Sequence, residues 1–305
     1  MAAPSVAKQS RVVPTAVSSD AALPVVSGQF GRRATITVPQ SDPTGKFVVT
    51  PVTAGQGRAA RTGDVAVVRY TAQVWGSGKA LAPHTKKDAQ NQIITVGGGL
   101  TLPALDRAVQ NQPAGTRMLV VAPPAAAYGE TGNKRLGVSG TDTVVFVVDI
   151  MQVISARATV HGEQRQAADS LPQVRMDRSG AAAISVPDSD APRELAVERL
   201  VDGTGQVVKD SQTVVLQHSS AVWQNAQGED RADLFMSSHA DGRPLTVVAG
   251  GGNVLNAWDR ALVGQRVGSR VLVVAPAKFA YGAHPPKGIP AGAVVVSVLD
   301  ILAAA

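Results

Sequence analysis

The chain has 305 residues, enough for two ordinary domains, and 44% of them are hydrophobic while only 4% are aromatic. Its 29 basic and 23 acidic residues give a net charge of +6, but no basic run or basic face with interleaved aromatic residues predicts a nucleic-acid surface. The lack of cysteine excludes disulfides and thiolate chemistry, and no apolar stretch reaches the roughly 18 residues that a membrane helix needs.

The first 22 residues are predicted to form a flexible tail. They are rich in Ala, Ser, Pro and Val and contain no hydrophobic signal-peptide core, so they cannot bury enough surface to fold. The first domain is therefore expected to span 23–155.

Within 23–155, turn residues separate β-branched runs that are short for helices. These runs predict strands at 34–38, 45–55, 64–75, 115–123 and 141–154. The segment 103–111 is predicted to be a helix instead. Pro103 suits a first helical turn, Asp106 complements the helix dipole, and apolar residues recur there every three to four positions.

The same pattern occurs twice in the chain. The segment LDRAVQNQPAGTRMLVVAPPAAAYG, 105–129, recurs as WDRALVGQRVGSRVLVVAPAKFAYG, 258–282, and Trp75 matches Trp223 upstream. The spacing of matched blocks changes by about five residues between Trp223 and Gly250, which indicates an insertion there. The second domain is predicted at 171–305, and the polar, non-periodic segment 156–170 is predicted to be a linker.

Motifs for a nucleophile, a metal or a phosphate group are absent from the sequence. The glycine triplets 97–99 and 250–252 precede a short helix, but no Lys follows, so they predict tight turns. The five histidines lack metal-ligand spacing. No cofactor and no metal are predicted, and an enzyme built on this sequence would work without either.

Several motifs occur in the same order in both copies and together resemble one known family. The first copy has VVRYT, VGGG, AYGETG and TDTVVFVVDI, and the second has GGGNVLNAWDRAL, VGSRVLVVAP and FAYGAHPPKGIP. This order resembles the FKBP-type peptidyl-prolyl cis-trans isomerases over about 100 residues of each copy. The resemblance implies an α+β fold with two FKBP-like domains, each an antiparallel β half-barrel wrapped around one short α-helix. It also implies a proline-sized apolar pocket between sheet and helix.

In the second copy, the resemblance implies three catalytic residues. Trp258 would form the pocket floor, Tyr281 would bind a substrate carbonyl, and Phe235 would form a wall. The other positions implied to contact substrate are His218, Met236, Val254, Leu255, Ile289 and Ser297. Three of these depart from the family pattern, because His218 replaces a Tyr, Met236 an Asp and Ser297 a Phe.

In the first copy, the resemblance implies a complementary set. Tyr70, Tyr128 and Phe146 are kept, but Leu105 stands in place of the floor Trp and Leu81 in place of the wall Phe. Leu102 completes the implied substrate-binding set. Because a Trp can bury about 150–250 Å², its replacement by Leu predicts a shallower pocket. Trp75 and Trp223 fall outside both sets and are expected in the core.

The sequence therefore predicts a peptidyl-prolyl isomerase whose second domain is the catalyst, with slow turnover because neither copy keeps the Asp. The alternative is a non-catalytic peptide-binding or chaperone module with degenerate pockets. A nucleic-acid-binding protein is a third hypothesis that rests on charge alone.

The expected partners are proline-containing peptides, unfolded proteins and FK506-like macrolides, with no nucleic acid and no membrane span, and the chain is expected to be monomeric. The tandem form resembles secreted lipoproteins of actinobacteria. This resemblance implies an extracytoplasmic location, secreted or lipid-anchored, with the export signal outside the given sequence; a cytoplasmic location is the alternative.

Overall fold

The computed structural model describes residues 12–20, 23–81 and 91–305, and the chain divides into two compact units, Met1–Val153 and Ile154–Ala305. Each unit contains a six-stranded sheet, a helix of seven residues beside it, and a separate two-stranded hairpin. None of the helices in the described ranges is long and apolar enough to span a membrane.

The first unit begins with the hairpin and continues into the sheet. Its elements are β1 (Val25–Ser27), β2 (Thr35–Thr37), β3 (Val48–Thr53), β4 (Val65–Val74), β5 (Ala80–Leu81), β6 (Gln92–Thr95), α1 (Pro103–Val109), β7 (Arg117–Ala122) and β8 (Val144–Ile154). The strand order is β3-β7-β8-β4-β5, and β6 also pairs with β4. The predicted helix at 103–111 therefore forms, two residues shorter at its C-terminus.

The second unit repeats this arrangement. Its elements are β9 (Gln173–Met176), β10 (Ala182–Ser185), β11 (Ala196–Val201), β12 (Thr213–Val222), α2 (Trp223–Ala226), β13 (Leu234–Ser237), β14 (Leu245–Val248), α3 (Asn256–Leu262), β15 (Arg270–Ala275) and β16 (Val295–Ala304). The antiparallel order is β11-β15-β16-β12-β13, with β14 paired to β12. The added residues form the connection 223–233, which contains α2 and replaces a short turn in the first unit.

Two hydrophobic cores lie on opposite faces of each sheet. Along β7, Met118 and Val120 pack with the helix, whereas Leu119 and Val121 pack with the hairpin. This follows from the period of two in a strand, which sends successive side chains to opposite faces. The apolar residues 118–122 of β7 are therefore buried on both sides, and the fold is the predicted α+β class.

The hairpin cores contain the two tryptophans that the sequence predicts to be buried. Trp75 and Trp223 are 4% and 1% exposed, and their indole N–H groups donate to the carbonyl oxygens of Ser41 and Ser189. A buried Trp normally needs a partner for this N–H, and the segments VPQSD, 38–42, and VPDSD, 186–190, each supply one. The extra N-terminal segment of each repeat is therefore a structural part of its domain.

The glycine triplets form tight turns between a strand and the helix. Gly97 and Gly250 have φ values of 72° and 71°, in the left-handed region that favours glycine. The helix Asp closes each turn, because Asp106 Oδ1 accepts the Gly97 N–H at 2.7 Å and Asp259 Oδ2 accepts the Gly252 N–H at 2.9 Å. The repeated Asp has a local structural role here.

Buried ion pairs anchor the hairpin loop of the first unit and the segment before the hairpin of the second. Arg117 pairs with Asp149 at 2.6 Å and Arg270 with Asp300 at 2.7 Å, and all four side chains are at most 5% exposed. Arg117 also donates to the carbonyl oxygens of the loop 28–32. Such pairs persist in a core only when further hydrogen bonds satisfy their remaining donors and acceptors.

The segment 156–170, predicted as a linker, supplies those bonds in the second unit. Asp300 accepts hydrogen bonds from the Thr159 hydroxyl and the Val160 N–H, while Arg270 donates to Gln164 at 2.7 Å. Val160 is 7% exposed. This stretch is thus packed against the second unit, which its polar, non-periodic sequence did not indicate.

Part of the predicted N-terminal tail is also attached. Val17 donates to the Phe47 carbonyl and accepts from the Val49 N–H, both at 2.9 Å, forming a short parallel bridge to β3. Asp20 pairs with Lys46 at 3.3 Å. Residues 12–20 are therefore attached to the first domain, because a parallel bridge can satisfy backbone groups even where side chains bury little surface.

Candidate functional site

A pocket of about 510 Å³ lies between the sheet and α3 of the second unit. Its size and mainly apolar lining are typical of a small-ligand site. The lining residues come from β12, β13, β14, the turn before α3, α3 itself and the loop after β15: Thr213, Ser220, Phe235, Met236, Leu245, Thr246, Val247, Val248, Asn253, Val254, Leu255, Trp258 and Tyr281. Six of the nine residues implied for this copy are therefore brought together.

Trp258 lies at the bottom of the pocket and is held in place by a hydroxyl pair. Trp258 is 3% exposed, and its indole N–H donates to the Ser297 hydroxyl at 3.0 Å. The Ser297 hydroxyl lies 2.9 Å from that of Ser220. Because the indole N–H is satisfied from the sheet side, the apolar ring is available as a pocket surface.

His218 supports the same indole from the side. The His218 and Trp258 ring centroids are 5.2 Å apart, and His218 is 4% exposed. Burial lowers the pKa of His218 to about 4; nearby His239 adds to this effect and Asp241 opposes it. The ring is therefore neutral at physiological pH and acts as packing for Trp258.

Tyr281, Phe235 and Met236 form the rim of the pocket. The Tyr281 and Phe235 rings meet edge to face with centroids 6.3 Å apart. The Tyr281 hydroxyl donates to the Met236 thioether at 3.8 Å, a weak acceptor that a carbonyl oxygen would replace readily. Burial raises the pKa of Tyr281. Its hydroxyl therefore stays protonated at neutral pH and can act as a donor.

The turn before α3 presents a backbone donor at the pocket. The Leu255 carbonyl accepts the backbone N–H of Trp258 at 2.8 Å. The backbone N–H of Leu255 has no partner among the residues that the structure describes. A helix N-terminus leaves such N–H groups free and slightly positive. This N–H and the Tyr281 hydroxyl are two hydrogen-bond donors of residues that line the mainly apolar pocket.

Three implied residues lie behind the pocket and not on its surface. His218 and Ser297 contact Trp258, as described above, and Ile289 packs with Val222, Phe235 and Tyr281. Conversely, Leu245 and Val247 line the pocket although the sequence indicated no strand at β14. The only signal for them was their position just before the glycine triplet.

The first unit brings its complementary residues together in one core cluster. Leu81, Leu105 and Phe146 are at most 5% exposed, and Tyr70, Leu102 and Tyr128 pack against them. Tyr70 meets Phe146 edge to face with centroids 6.0 Å apart. Burial, with a smaller effect of Tyr128, raises the pKa of Tyr70 to about 12. Ala82, which follows Leu81 where the family has an Asp, lies outside the described residues.

The described ranges contain no group of three His, Asp or Glu side chains that could hold an ion. The polar groups of the second-unit pocket are neutral hydroxyl, amide and thioether groups. They suit binding of a neutral, carbonyl-rich ligand such as a peptide segment.

The comparisons with known proteins point to one family. The profile of the FKBP-type peptidyl-prolyl cis-trans isomerase family matches residues 56–151 and 205–300. An FK506-binding protein of Streptomyces anulatus is 30% identical over 122 residues, which cover 39% of this chain and 94% of that protein. Human peptidyl-prolyl cis-trans isomerase FKBP10 is 22% identical over 247 residues, covering 80% of this chain but only 35% of that protein.

Among solved structures, the three FKBP domains of wheat FKBP73 align over 86% of this chain and 96% of theirs, with 17% identity and a TM-score of 0.35. Both family matches lie within the sheet-and-helix part of each unit, beginning after β3 and β11, and leave the hairpins outside. The chain therefore belongs to the FKBP-type peptidyl-prolyl cis-trans isomerase family and contains two of its domains.

Proposed function

We propose that this chain catalyses cis–trans isomerisation of X–Pro bonds in polypeptides, and that its second domain is the catalyst. The observation that carries the proposal is the second-unit pocket, in which Trp258 forms an apolar floor under two donors, the Tyr281 hydroxyl and the Leu255 N–H. A proline ring fits such a floor, and the two donors suit the carbonyl groups that flank it.

The chemistry needs neither a nucleophile nor a metal. Resonance keeps the X–Pro bond planar behind a barrier of about 18–20 kcal/mol, and the twisted transition state has a less polar carbonyl. A dry, apolar pocket accommodates that state better than water does. Each 1.4 kcal/mol or so of preference for the twisted state accelerates the reaction about tenfold.

The donors would fix the substrate while the bond rotates. Tyr281 exchanges its thioether contact for a substrate carbonyl, and Leu255 donates its free backbone N–H to another. Holding both sides of the rotating bond is what orients it in the pocket. Met236 stands where the family has an Asp, so this position brings no charge to the rim, and we expect a slow enzyme.

The first domain is proposed to be a weak or inactive partner. Leu105 gives it a smaller floor than Trp258, and Leu81 and the Tyr70–Phe146 pair belong to the same core cluster as Leu105. The substrates are proposed to be proline-containing segments of unfolded proteins, with FK506-like macrolides as competitive ligands. The chain is proposed to act as a monomer at an extracytoplasmic location.

The second candidate function is peptide binding without catalysis. It is favoured by Met236, His218 and Ser297, which make the second-unit pocket unlike the family pattern at three positions. Both functions use the same pocket, so binding alone does not separate them.

A rate measurement separates the two functions. The full chain should accelerate cis-to-trans exchange of a Suc-Ala-X-Pro-Phe peptide above the uncatalysed rate, and an FK506-like macrolide should inhibit it. Trp258→Leu should remove most of the acceleration, while Tyr128→Phe in the first domain should leave most of it. A wild-type rate equal to that of buffer would reject catalysis, and equal losses in both variants would reject the domain assignment.

A further inference from the structure

A second groove, of about 450 Å³, adjoins the pocket of the second unit. Phe235 and Met236 line both spaces, so the groove begins where the pocket rim ends. It is lined by the turn of the β9–β10 hairpin, by β13 and by the loop after β13: Ser179, Ala181, Leu234, Phe235, Met236, Ser237, His239, Ala240 and Asp241. The hairpin thus adds a wall outside the part of the unit that the family profile matches.

The hairpin wall is held in one conformation by Asp177. Its Oδ1 accepts hydrogen bonds from the Ser179 N–H at 2.8 Å, the Ser179 hydroxyl at 2.6 Å and the Ala181 N–H at 3.1 Å. Its Oδ2 pairs with Arg231 at 3.1 Å. These bonds lower the pKa of Asp177 and keep the turn closed on its carboxylate at neutral pH.

The opposite wall is equally well fixed. The buried Ser238 hydroxyl accepts the His218 N–H at 2.8 Å and donates to the Gln217 side chain. The Asp241 N–H donates to the Ser237 carbonyl at 3.1 Å. Rigid walls make a groove a preformed site, because little conformational entropy is lost when a ligand enters.

The strand along the groove lies at an edge of the sheet. β13 is the last strand in the order β11-β15-β16-β12-β13, and its far edge pairs with no other strand in the described ranges. Edge strands leave alternate N–H and C=O groups available, and an extended peptide can pair with them. The groove therefore suits the backbone of an extended chain.

The groove also carries a negative charge. Asp241 is exposed, and its carboxylate forms no ion pair with any residue that the structure describes. The Asp177 carboxylate on the other wall is already paired with Arg231. The unpaired acid therefore favours a basic side chain on the occupant.

We infer that this groove is an extension subsite for the same substrate chain whose proline occupies the pocket. The occupant is an extended segment flanking the proline, carrying a Lys or Arg that reaches Asp241. The inference rests on the proposed function, because the proline in the pocket sets which part of the substrate chain enters the groove. Phe235 and Met236 line both spaces and connect them. It adds a substrate preference that a short peptide filling only the pocket would not show.

The test compares long with short proline peptides on the full-length chain. Affinity is measured by fluorescence anisotropy with three labelled twelve-residue peptides, each with one central Pro and either no charge, a Lys before Pro, or a Lys after it. Isomerisation of the four-residue substrate is measured in parallel. One of the two Lys peptides should bind about two- to fivefold tighter than the uncharged one, and the gain should shrink in high salt.

Two substitutions act on the groove itself. Asp241→Asn should remove the Lys preference, with Asp230→Asn as an exposed control that keeps it. Ala240→Trp should lower the ratio of long-peptide affinity to short-peptide kcat/KM at least fivefold, while Ala168→Trp, remote from the lining of either space, should not.

The outcomes separate this inference from the proposed function. Absence of short-peptide catalysis would reject the proposed function, and the binding measurements would still decide on the groove. Equal affinity of all three long peptides, or an unchanged ratio in Ala240→Trp, would reject the subsite. A change in oligomeric state by light scattering in Ala240→Trp, without a change in peptide affinity, would make the groove a contact between copies and also reject it.

Discussion

His218 makes the stability of the second domain sensitive to mild acid. It lies within β12, is 4% exposed, and packs on the floor Trp258. Its pKa is lowered from 6.5 to about 4, mainly by burial. The folded state therefore holds a neutral imidazole where the unfolded chain takes up a proton. The resulting stability is fully present above pH 6.5 and is lost as the pH falls towards 4.

The size of this effect follows from the two pKa values. The gap between 6.5 and about 4 corresponds to roughly 3 kcal/mol in total, of which about 2 kcal/mol is lost between pH 7 and pH 5. Because the residue is almost fully buried, solvent screening reduces this little. His239 also has a lowered pKa and contributes in the same direction, so the whole domain should lose more than His218 alone accounts for.

The assay needs a variant that cannot titrate. In His218→Leu, no hydrogen bond of Nδ1 is lost, because that atom has no partner in the described part of the chain. Hydrogen exchange of buried amides in β12 and β16, measured at pH 7 and pH 5, gives the opening free energy of this domain. The variant should lose about 2 kcal/mol less than the wild type on acidification, and His161→Gln, at an exposed position, should behave as the wild type.

A direct titration decides whether the reasoning holds. The imidazole signal of His218 followed by NMR should change only below about pH 5. A midpoint near 6.5, or the same acid sensitivity in His218→Leu and wild type, would show that the ring is not buried against Trp258 as described.

Three further substitutions test separate contacts. Tyr281→Phe should lower kcat/KM on a short proline peptide about fivefold, the value of one hydrogen bond, without changing the urea midpoint. Ser297→Ala should destabilise the second domain by about 1–3 kcal/mol in hydrogen exchange, because it leaves the buried Trp258 N–H unsatisfied, and Ser297→Thr should restore most of the loss. Asp149→Asn should cost the first domain about 3–5 kcal/mol in urea unfolding, because Arg117 is left buried and unpaired.

Each of these has a contrary result. An unchanged kcat/KM in the Tyr281 variant would exclude its hydroxyl from catalysis. Wild-type stability of the Ser297 variant would mean that the indole finds another acceptor. A loss below about 1 kcal/mol for the Asp149 variant would mean that water reaches Arg117.

The repeat and its sheet-and-helix core could be predicted because they depend on local patterns. β7 and β8 are mainly apolar, Val-rich runs, and α1 combines Pro103 and Asp106 with helical spacing. Trp75 and Trp223 were expected in the core because they fall outside the family pocket, and both are buried there. Such signals lie within about a dozen residues of chain.

The anchoring of the segment 156–170 could not be predicted in the same way. Thr159 and Val160 are held by Asp300, which lies 141 and 140 positions away in the chain. Nothing in the polar composition of the segment indicates that partner. The contact depends on a buried carboxylate whose unused oxygen requires a donor.

The pocket was predictable in part for a similar reason. Phe235, Trp258 and Tyr281 were indicated by motif, and the structure places them around one space. The resemblance places Ser297 where the family has a Phe, yet its hydroxyl accepts the Trp258 indole N–H from 39 positions away. A serine at a core position shows its role only when its partner is known.

NMR of the full chain with a proline peptide tests whether the second domain isomerises X–Pro bonds in its pocket. The chain has three tryptophans, two in the hairpin cores and Trp258 on the pocket floor, so three indole N–H signals report on separate places. We expect the peptide to shift the Trp258 indole signal alone. We also expect exchange spectra to show catalysed interconversion of the peptide's cis and trans forms. An unshifted Trp258 signal, or interconversion no faster than in buffer, would contradict it.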